Sequence, residues 1–182
     1  MKRLLALVLA ALLAVGIVAY LEKSEPKWWT RQRYPLRYTE IVNGHAHHYK
    51  LDPALLAAVI YQESRFRADA RSSSGAIGLM QLLPSTARGI ALRTGGNRFV
   101  VNDLYDPEIN VRYGSWYLRH LLDKYHDERL ALAAYNAGQA NVDDWRSKGE
   151  DIQFSETRAY VSRVEWLKDI YRRAYRSELG LP

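Results

Sequence analysis

Apolar positions along this chain fall into two regimes. From Leu4 to Leu21 they run without a charged residue, and from about Asp52 onward they recur at three- and four-residue steps between polar positions, the period of one buried helix face. Two Asp-Pro pairs set the phase of the second regime. Asp52-Pro53 places an N-cap acceptor before a proline at the first helical position, which predicts a helix through Leu55, Leu56, Val59, Ile60 and Glu63. Asp106-Pro107 predicts a longer one, with Ile109, Tyr113, Trp116, Tyr117, Leu121 and Tyr125 as a buried stripe and a central place in the fold. Asp127 is expected to cap a short helix over Leu130 to Ala137, closed by Gly138. Ser155 is expected to cap a final helix that turns Tyr160, Val161, Val164, Leu167, Ile170 and Tyr171 to one side. Phe99-Val100-Val101 is the one short β-like run, and there is no internal repeat. The reading is a mainly α domain.

The first regime is a different object. Leu4 to Leu21, as a helix, approaches the hydrocarbon thickness of a bilayer. Lys2 and Arg3 precede it, so the positive-inside tendency puts everything after Leu21 on the extracytoplasmic side. A cleaved signal peptide is the competing reading; the length of the run and the lack of a small-x-small site before Glu22 favour an uncleaved anchor, with secretion after cleavage as the alternative. Trp28 and Trp29, among Lys23, Lys27, Arg31 and Arg33, suit a headgroup layer or an ordinary polar linker. The expected division is 1–22 anchor or signal segment, 23–37 basic juxtamembrane linker, 38–175 helical domain and 176–182 tail.

Composition narrows the chemistry. The 182 residues contain no cysteine, which excludes a disulfide framework, a thiolate metal site, a cysteine nucleophile and a lipoprotein attachment. A net charge of +6 favours an anionic partner, but arginine is scattered from Arg3 to Arg176 without a nucleic-acid signature, so no nucleic acid is expected. His45, His47 and His48 lack metal-ligand spacing and read as solvated helix surface; no metal is expected. Ser72 to Ser74 lack a nucleophile elbow.

Glu63 stands out. It lies three residues past Ile60, four past Val59 and eight past Leu55, so helical spacing puts a carboxylate on an apolar face. The bland reading is a Glu at a helix end bending toward solvent or toward Arg65 or Arg67. Behind it Gly75 and Gly78, then Leu79-Met80-Gln81, form a loop suited to close backbone approach and to flooring a cleft. The loop is neither a dinucleotide fingerprint nor a phosphate loop.

These residues carry a resemblance. Glu63-Ser64-x-Phe66, Ala70-x-Ser72, Gly75-Ala76-x-Gly78-Leu79-Met80-Gln81, Pro84-x-Thr86-Ala87, Asn110 with Gly114 to Leu118, Ala133-Ala134-Tyr135-Asn136-Ala137-Gly138 and Glu156-Thr157-Arg158-x-Tyr160-Val161 resemble, in order, the catalytic domain of soluble-type lytic transglycosylases. The resemblance covers about Leu51 to Trp166. It implies a lysozyme-like helical fold and a groove for the alternating N-acetylmuramic acid and N-acetylglucosamine of peptidoglycan. By the family's pattern Glu63 is the single acid/base carboxylate, and Ser72, Gln81, Tyr135, Asn136 and Glu156 contact substrate; Tyr160 is one further candidate for a groove-facing substrate contact.

Most glycosidases pair two carboxylates. Asp69 and Glu156 are the candidates by motif, yet Asp69 falls where the family varies and Glu156 resembles a sugar contact, or simply first-turn helix charge. The absence of a partner agrees with the family reaction, in which the muramyl C6 hydroxyl closes on its own anomeric carbon. No cofactor is expected. Leu83 stands where many relatives carry methionine, a nearly volume-conserving change. Rival readings are a goose-type, lysozyme-like muramidase that delivers water and a non-catalytic peptidoglycan-binding scaffold. Protein partners are unknown at this level.

Overall fold

The computed structural model describes every residue except Met1, Glu25 and Asn97, and in the first helix it leaves the side chains of Lys2, Leu5, Ala6, Glu22 and Lys23 undescribed. The chain forms two compact units, residues 1–35 and 36–182.

In the first unit α1 spans Lys2–Ser24 and α2 spans Lys27–Arg33. The described large apolar side chains of α1, from Leu4 to Tyr20, are mostly exposed. Trp28 and Trp29 meet edge to face, ring centroids 5.8 Å apart. Among the described residues no helix is long and apolar enough to cross a membrane. The flanking charges Lys2 and Lys23, on which the orientation and linker readings partly draw, lie outside the described side chains.

The second unit is mainly helical: α3 (Thr39–His48), α4 (Pro53–Ser64), α5 (Pro84–Thr94), a 3-10 turn (Val101–Tyr105), α6 (Pro107–Tyr125), α7 (Glu128–Ala137), α8 (Gln139–Ser147) and α9 (Ser155–Ala174), with two isolated antiparallel bridges, Arg71–Ile77 and Ile77–Leu82, in the loop between α4 and α5. Three Asp caps act as their positions predict. Asp52 accepts from the Ala54 N–H at 2.9 Å, Asp106 from Ile109 at 3.0 Å and Asp127 from Leu130 at 2.9 Å. Each satisfies a donor that the first helical turn leaves open. Ser155 does not cap α9; it is the first helical residue, Phe154 holds the cap position, and no side chain closes that end. Phe99-Val100-Val101 is no strand. Val100 is extended, but Val101 enters the 3-10 turn and Phe99 tilts onto Tyr113, ring centroids 5.5 Å apart. Packing on α6 overrides β propensity there.

The helix enclosed on every side is α4. From Ala54 to Ile60 every residue is buried, because the sequence Ala-Leu-Leu-Ala-Ala-Val-Ile is apolar all round. It packs on α9 and α3, while α6 meets α3, α5, α7 and the 3-10 turn and keeps Arg112, Asp123 and Lys124 on a wet outer face. The end of α4 is held in an aromatic cluster: Tyr171 of α9 lies 6.1 Å from Tyr61 and 6.2 Å from Phe66, centroid to centroid. Burying rings of this size stabilises by about 1.5–3 kcal/mol each. Polar links pin the same helices, with Lys168 of α9 on Glu128 of α7 at 2.7 Å and Arg172 on Asp52. Beyond α9, Leu179 is buried and the Asn43 amide donates to the Glu178 carbonyl at 2.8 Å, so the chain returns onto α3.

His45 departs from the solvated helix surface expected of it. It is buried, and its Nε2 lies 2.8 Å from Glu108 Oε1, tying α3 to α6. His47 and His48 stay exposed. Among the described residues no three His, Cys, Asp or Glu side chains gather as a metal site.

Candidate active site

The site is organised around the abrupt end of α4. Glu63 occupies its last turn, and the chain then leaves the helix through two non-glycine residues with left-handed backbone, Arg65 (φ 53°) and Phe66 (φ 60°). Such conformations carry a cost that packing must offset. Here the burial of Phe66 and the Ser64 hydroxyl do so. Ser64 is buried and its Oγ donates at 2.8 Å to the carbonyl of Leu79, which ties the helix end to the glycine loop.

That loop is fastened from three helices. Asn110 of α6 is fully buried and donates through Nδ2 to the carbonyls of Ile77 (2.9 Å) and Leu104 (2.8 Å). Its Oδ1 accepts from the Met80 N–H at 2.8 Å. Tyr135 of α7 donates to the Met80 carbonyl at 2.7 Å, and Ser64 of α4 supplies the third tie. Gly78 turns the chain at φ +81°, and a Cβ there would sit inside the Asn110 amide and the Leu104 carbonyl. Gly114 of α6 packs directly under Met80, again with no room for a Cβ. Gln81, at φ 47°, spends its amide N–H groups on the carbonyls of Gly78 (2.9 Å) and Ala70 (3.2 Å), which leaves its side-chain oxygen without a donor among the described residues.

Between this loop and the end of α7 lies a cleft of about 340 Å³. Of the residues expected at the site, it brings together Glu63, Ser72, Gln81, Tyr135 and Asn136. Ser72 Oγ accepts from the Ala76 N–H at 3.0 Å and lies 2.9 Å from Ser74 Oγ. Asn136 Oδ1 accepts from the Thr157 hydroxyl at 2.8 Å. Tyr160 lies behind the carboxylate, its hydroxyl donating to Glu63 Oε1 at 2.6 Å. Glu156 is not in the lining; it is exposed on the first turn of α9, one residue before Thr157. Leu83 lines the cleft and is 41% exposed. Tyr117 and Thr86 also line it. Helical periodicity assigns Tyr117 to the buried stripe of α6, because its four-residue step from Tyr113 is identical to that of a core position.

Among the described residues that line this cleft, Glu63 is the sole carboxylate. Burial pushes its pKa up to about 7, against the opposing pull of the Tyr160 hydrogen bond. The Tyr135 and Tyr160 hydroxyls are held well above their usual range, by burial first and then by the Glu63 charge, so both stay protonated donors. Titration near neutrality lets one carboxyl give up a proton and take one back at the same pH.

Comparison with known proteins identifies the family. The transglycosylase SLT domain matches residues 40–157. The soluble lytic murein transglycosylase of Escherichia coli K12 is 32% identical over 153 residues, covering 78% of this chain and 24% of that protein. The membrane-bound lytic murein transglycosylase F of Cellvibrio japonicus is 37% identical over 143 residues, covering 72% and 27%. The crystal structure of the 70 kDa soluble lytic transglycosylase of E. coli superposes with a TM-score of 0.76 at 29% identity, covering 83% of this chain and 26% of that one. The chain spans about a quarter of the length of these relatives. The fold is the mainly helical, lysozyme-like one of that structure. With residues 40–157 matched, well over half its length, this chain belongs to the transglycosylase SLT domain family.

Proposed function

We propose that this chain is a peptidoglycan lytic transglycosylase, cleaving the bond between N-acetylmuramic acid and N-acetylglucosamine and leaving an anhydro-muramyl end. The observation that carries the reading is the lone cleft carboxylate, Glu63, held at a pKa of about 7 and backed by Tyr160. The names of the E. coli and C. japonicus relatives agree with it.

Protonated Glu63 gives its proton to the glycosidic oxygen. The bond to the muramyl anomeric carbon breaks, and N-acetylglucosamine leaves as an alcohol. The Glu63 carboxylate then takes the proton of the muramyl C6 hydroxyl, whose oxygen closes on the anomeric carbon. Glu63 ends protonated as it began, and no water, metal or cofactor enters. Intramolecular closure draws on proximity, which supplies what a second carboxylate supplies elsewhere. In this reading the Gln81 carbonyl, the Asn136 amide and the Ser72 and Tyr135 hydroxyls hold the N-acetyl and hydroxyl groups of the sugars. Glu156 meets the strand at the outer edge, beside Thr157 and Asn136.

We infer further that residues 1–22 hold the enzyme at the membrane with the second unit on the extracytoplasmic face. The uncharged run from Leu4 to Leu21 after Lys2 and Arg3 supports this. Alkaline carbonate extraction tests it: an anchored chain stays with the membrane, and a processed one is released.

The enzymatic reading is tested with the full chain in detergent micelles, incubated with purified peptidoglycan beside Glu63→Gln. Anhydro-muramyl ends formed by the unmodified chain alone support it. Ordinary reducing ends would replace it with a muramidase, and binding without cleavage with a scaffold.

A further inference from the structure

We propose that the second unit carries a second ligand site, a groove on the flank of α6 away from Glu63, in which Arg112 receives a carboxylate of a wall stem peptide. The peptide assignment rests on the peptidoglycan reading above; the groove itself does not.

Three concavities of about 490, 440 and 540 Å³ lie along this flank, each larger than the cleft at Glu63. They share lining residues, so they run on as one groove: His48 and Tyr49 join the first two, Gly95, Gly96 and Tyr113 the last two, and Arg112 lines all three.

Arg112 is exposed and uncommitted. Among the described residues its guanidinium makes no hydrogen bond and has no carboxylate within 4.0 Å. Its guanidinium lies 5.3 Å from the centroid of the Tyr113 ring and acts electrostatically on the Tyr49 hydroxyl. Glu108, one helical turn earlier and the natural partner, is occupied by His45 at 2.8 Å. A solvated arginine on a convex helix face would mean little. Here the cation lines all three concavities, whose walls include the aromatic side chains of Tyr49, Tyr113 and Trp116. A planar fork of unspent donors beside aromatic walls suits an oxyanion on a partly apolar body, and a carboxylate fits the fork through two parallel bonds.

The ends of the groove refine the ligand. Glu40 lies at one end, and Asp103 with Arg98 at the other. A central cation flanked by acids suits a zwitterionic peptide, its carboxylate on Arg112 and its ammonium toward an end, better than a polyanion, which both acids would repel. The position relative to the cleft agrees. Trp116 lines the groove and Tyr117, the next residue, lines the Glu63 cleft. One helix therefore faces a glycan strand on one side and a peptide on the next.

The test titrates the full chain, in detergent micelles, with a soluble stem tetrapeptide bearing free carboxylates and an ammonium group, following tryptophan indole NMR signals with Trp116→Phe as assignment control. The expected result is a shift of the Trp116 signal, lost when every peptide carboxylate is amidated. Affinity should fall about tenfold or more in Arg112→Ala and less in Arg112→Lys, which keeps charge but not the fork. Unchanged affinity in Arg112→Ala, equal binding of the amidated peptide, or equal binding of inorganic phosphate would overturn the proposal. Cleavage of peptide-free glycan strands separates it from the enzymatic reading: Arg112→Ala should cut them at the unmodified rate. If the unmodified chain cuts none, the cleft reading fails while the titration still decides the groove.

Discussion

The Tyr160 hydroxyl donates to Glu63 Oε1 at 2.6 Å, so the one carboxyl of the cleft is oriented from behind by a buried donor that stays protonated. The bond and the burial act on Glu63 in opposite directions, and burial wins, leaving the pKa at about 7. The bond thus fixes geometry while moderating the shift.

Activity should follow that balance. The reaction starts from protonated Glu63, so kcat/KM is expected to fall as pH rises through about 7. Tyr160→Phe removes the influence that lowers the pKa, so the alkaline limb should move to higher pH while kcat drops as the carboxyl loses its orientation. A pH–rate profile of both proteins checks this; a limb that stays in place would separate Tyr160 from the titration.

Stability should carry the same signature. The folded pKa of Glu63 lies above its ordinary value of 4.5, so the folded state holds the proton more tightly. That contribution is complete below about 4.5 and is lost as pH rises through about 7. Glu63→Gln, which cannot ionise, should therefore be more stable than the unmodified chain at pH 8, by on the order of 2 kcal/mol, with the gap closing toward pH 4. Urea unfolding at the two pH values measures it.

Asn110 should be costly to change. Asn110→Ala leaves the Ile77 and Leu104 carbonyls and the Met80 N–H without their buried partner, and a loss of roughly 3 kcal/mol or more is expected. Asn110→Asp sets a carboxylate against two carbonyl oxygens and should lose at least as much at pH 7, recovering partly in acid as the group is protonated. Chemical denaturation midpoints across pH test both.

Two glycines of one loop should respond unequally. Gly75 (φ +83°) has open space where a Cβ would stand, so Gly75→Ala pays only the left-handed backbone term, about 1 kcal/mol. Gly78→Ala adds a collision with Asn110 and Leu104, and should cost roughly 3 kcal/mol or more and displace Gln81. Equal losses would mean the loop is not clamped as described.

Much of this was legible in the sequence because it rests on local rules. Asp52, Asp106 and Asp127 cap helices wherever a proline or an apolar period follows, and Glu63 falls within one turn of the apolar run of α4 by counting alone. What stayed hidden depends on long-range packing. The contact of His45 with Glu108 joins residues 63 positions apart. The Tyr160 bond to Glu63 spans 97, and a tyrosine on a helix face carries no local sign that its hydroxyl will reach that carboxylate. Tyr117 keeps the spacing of a core residue while facing the cleft, and helix period cannot separate the two. Phe99 to Val101 has strand propensity but no partner strand among the described residues, and α6 offers it a helical surface instead.

The central claim is that Glu63 works without an activated water, and cleavage in ¹⁸O-labelled water tests it most directly. Peptidoglycan strands cut by the full chain in that solvent are separated and their new muramyl ends weighed by mass spectrometry. The account predicts anhydro ends that carry no label, and none at all from Glu63→Gln. Labelled reducing ends, formed in a Glu63-dependent way, would contradict it and make the chain a hydrolase.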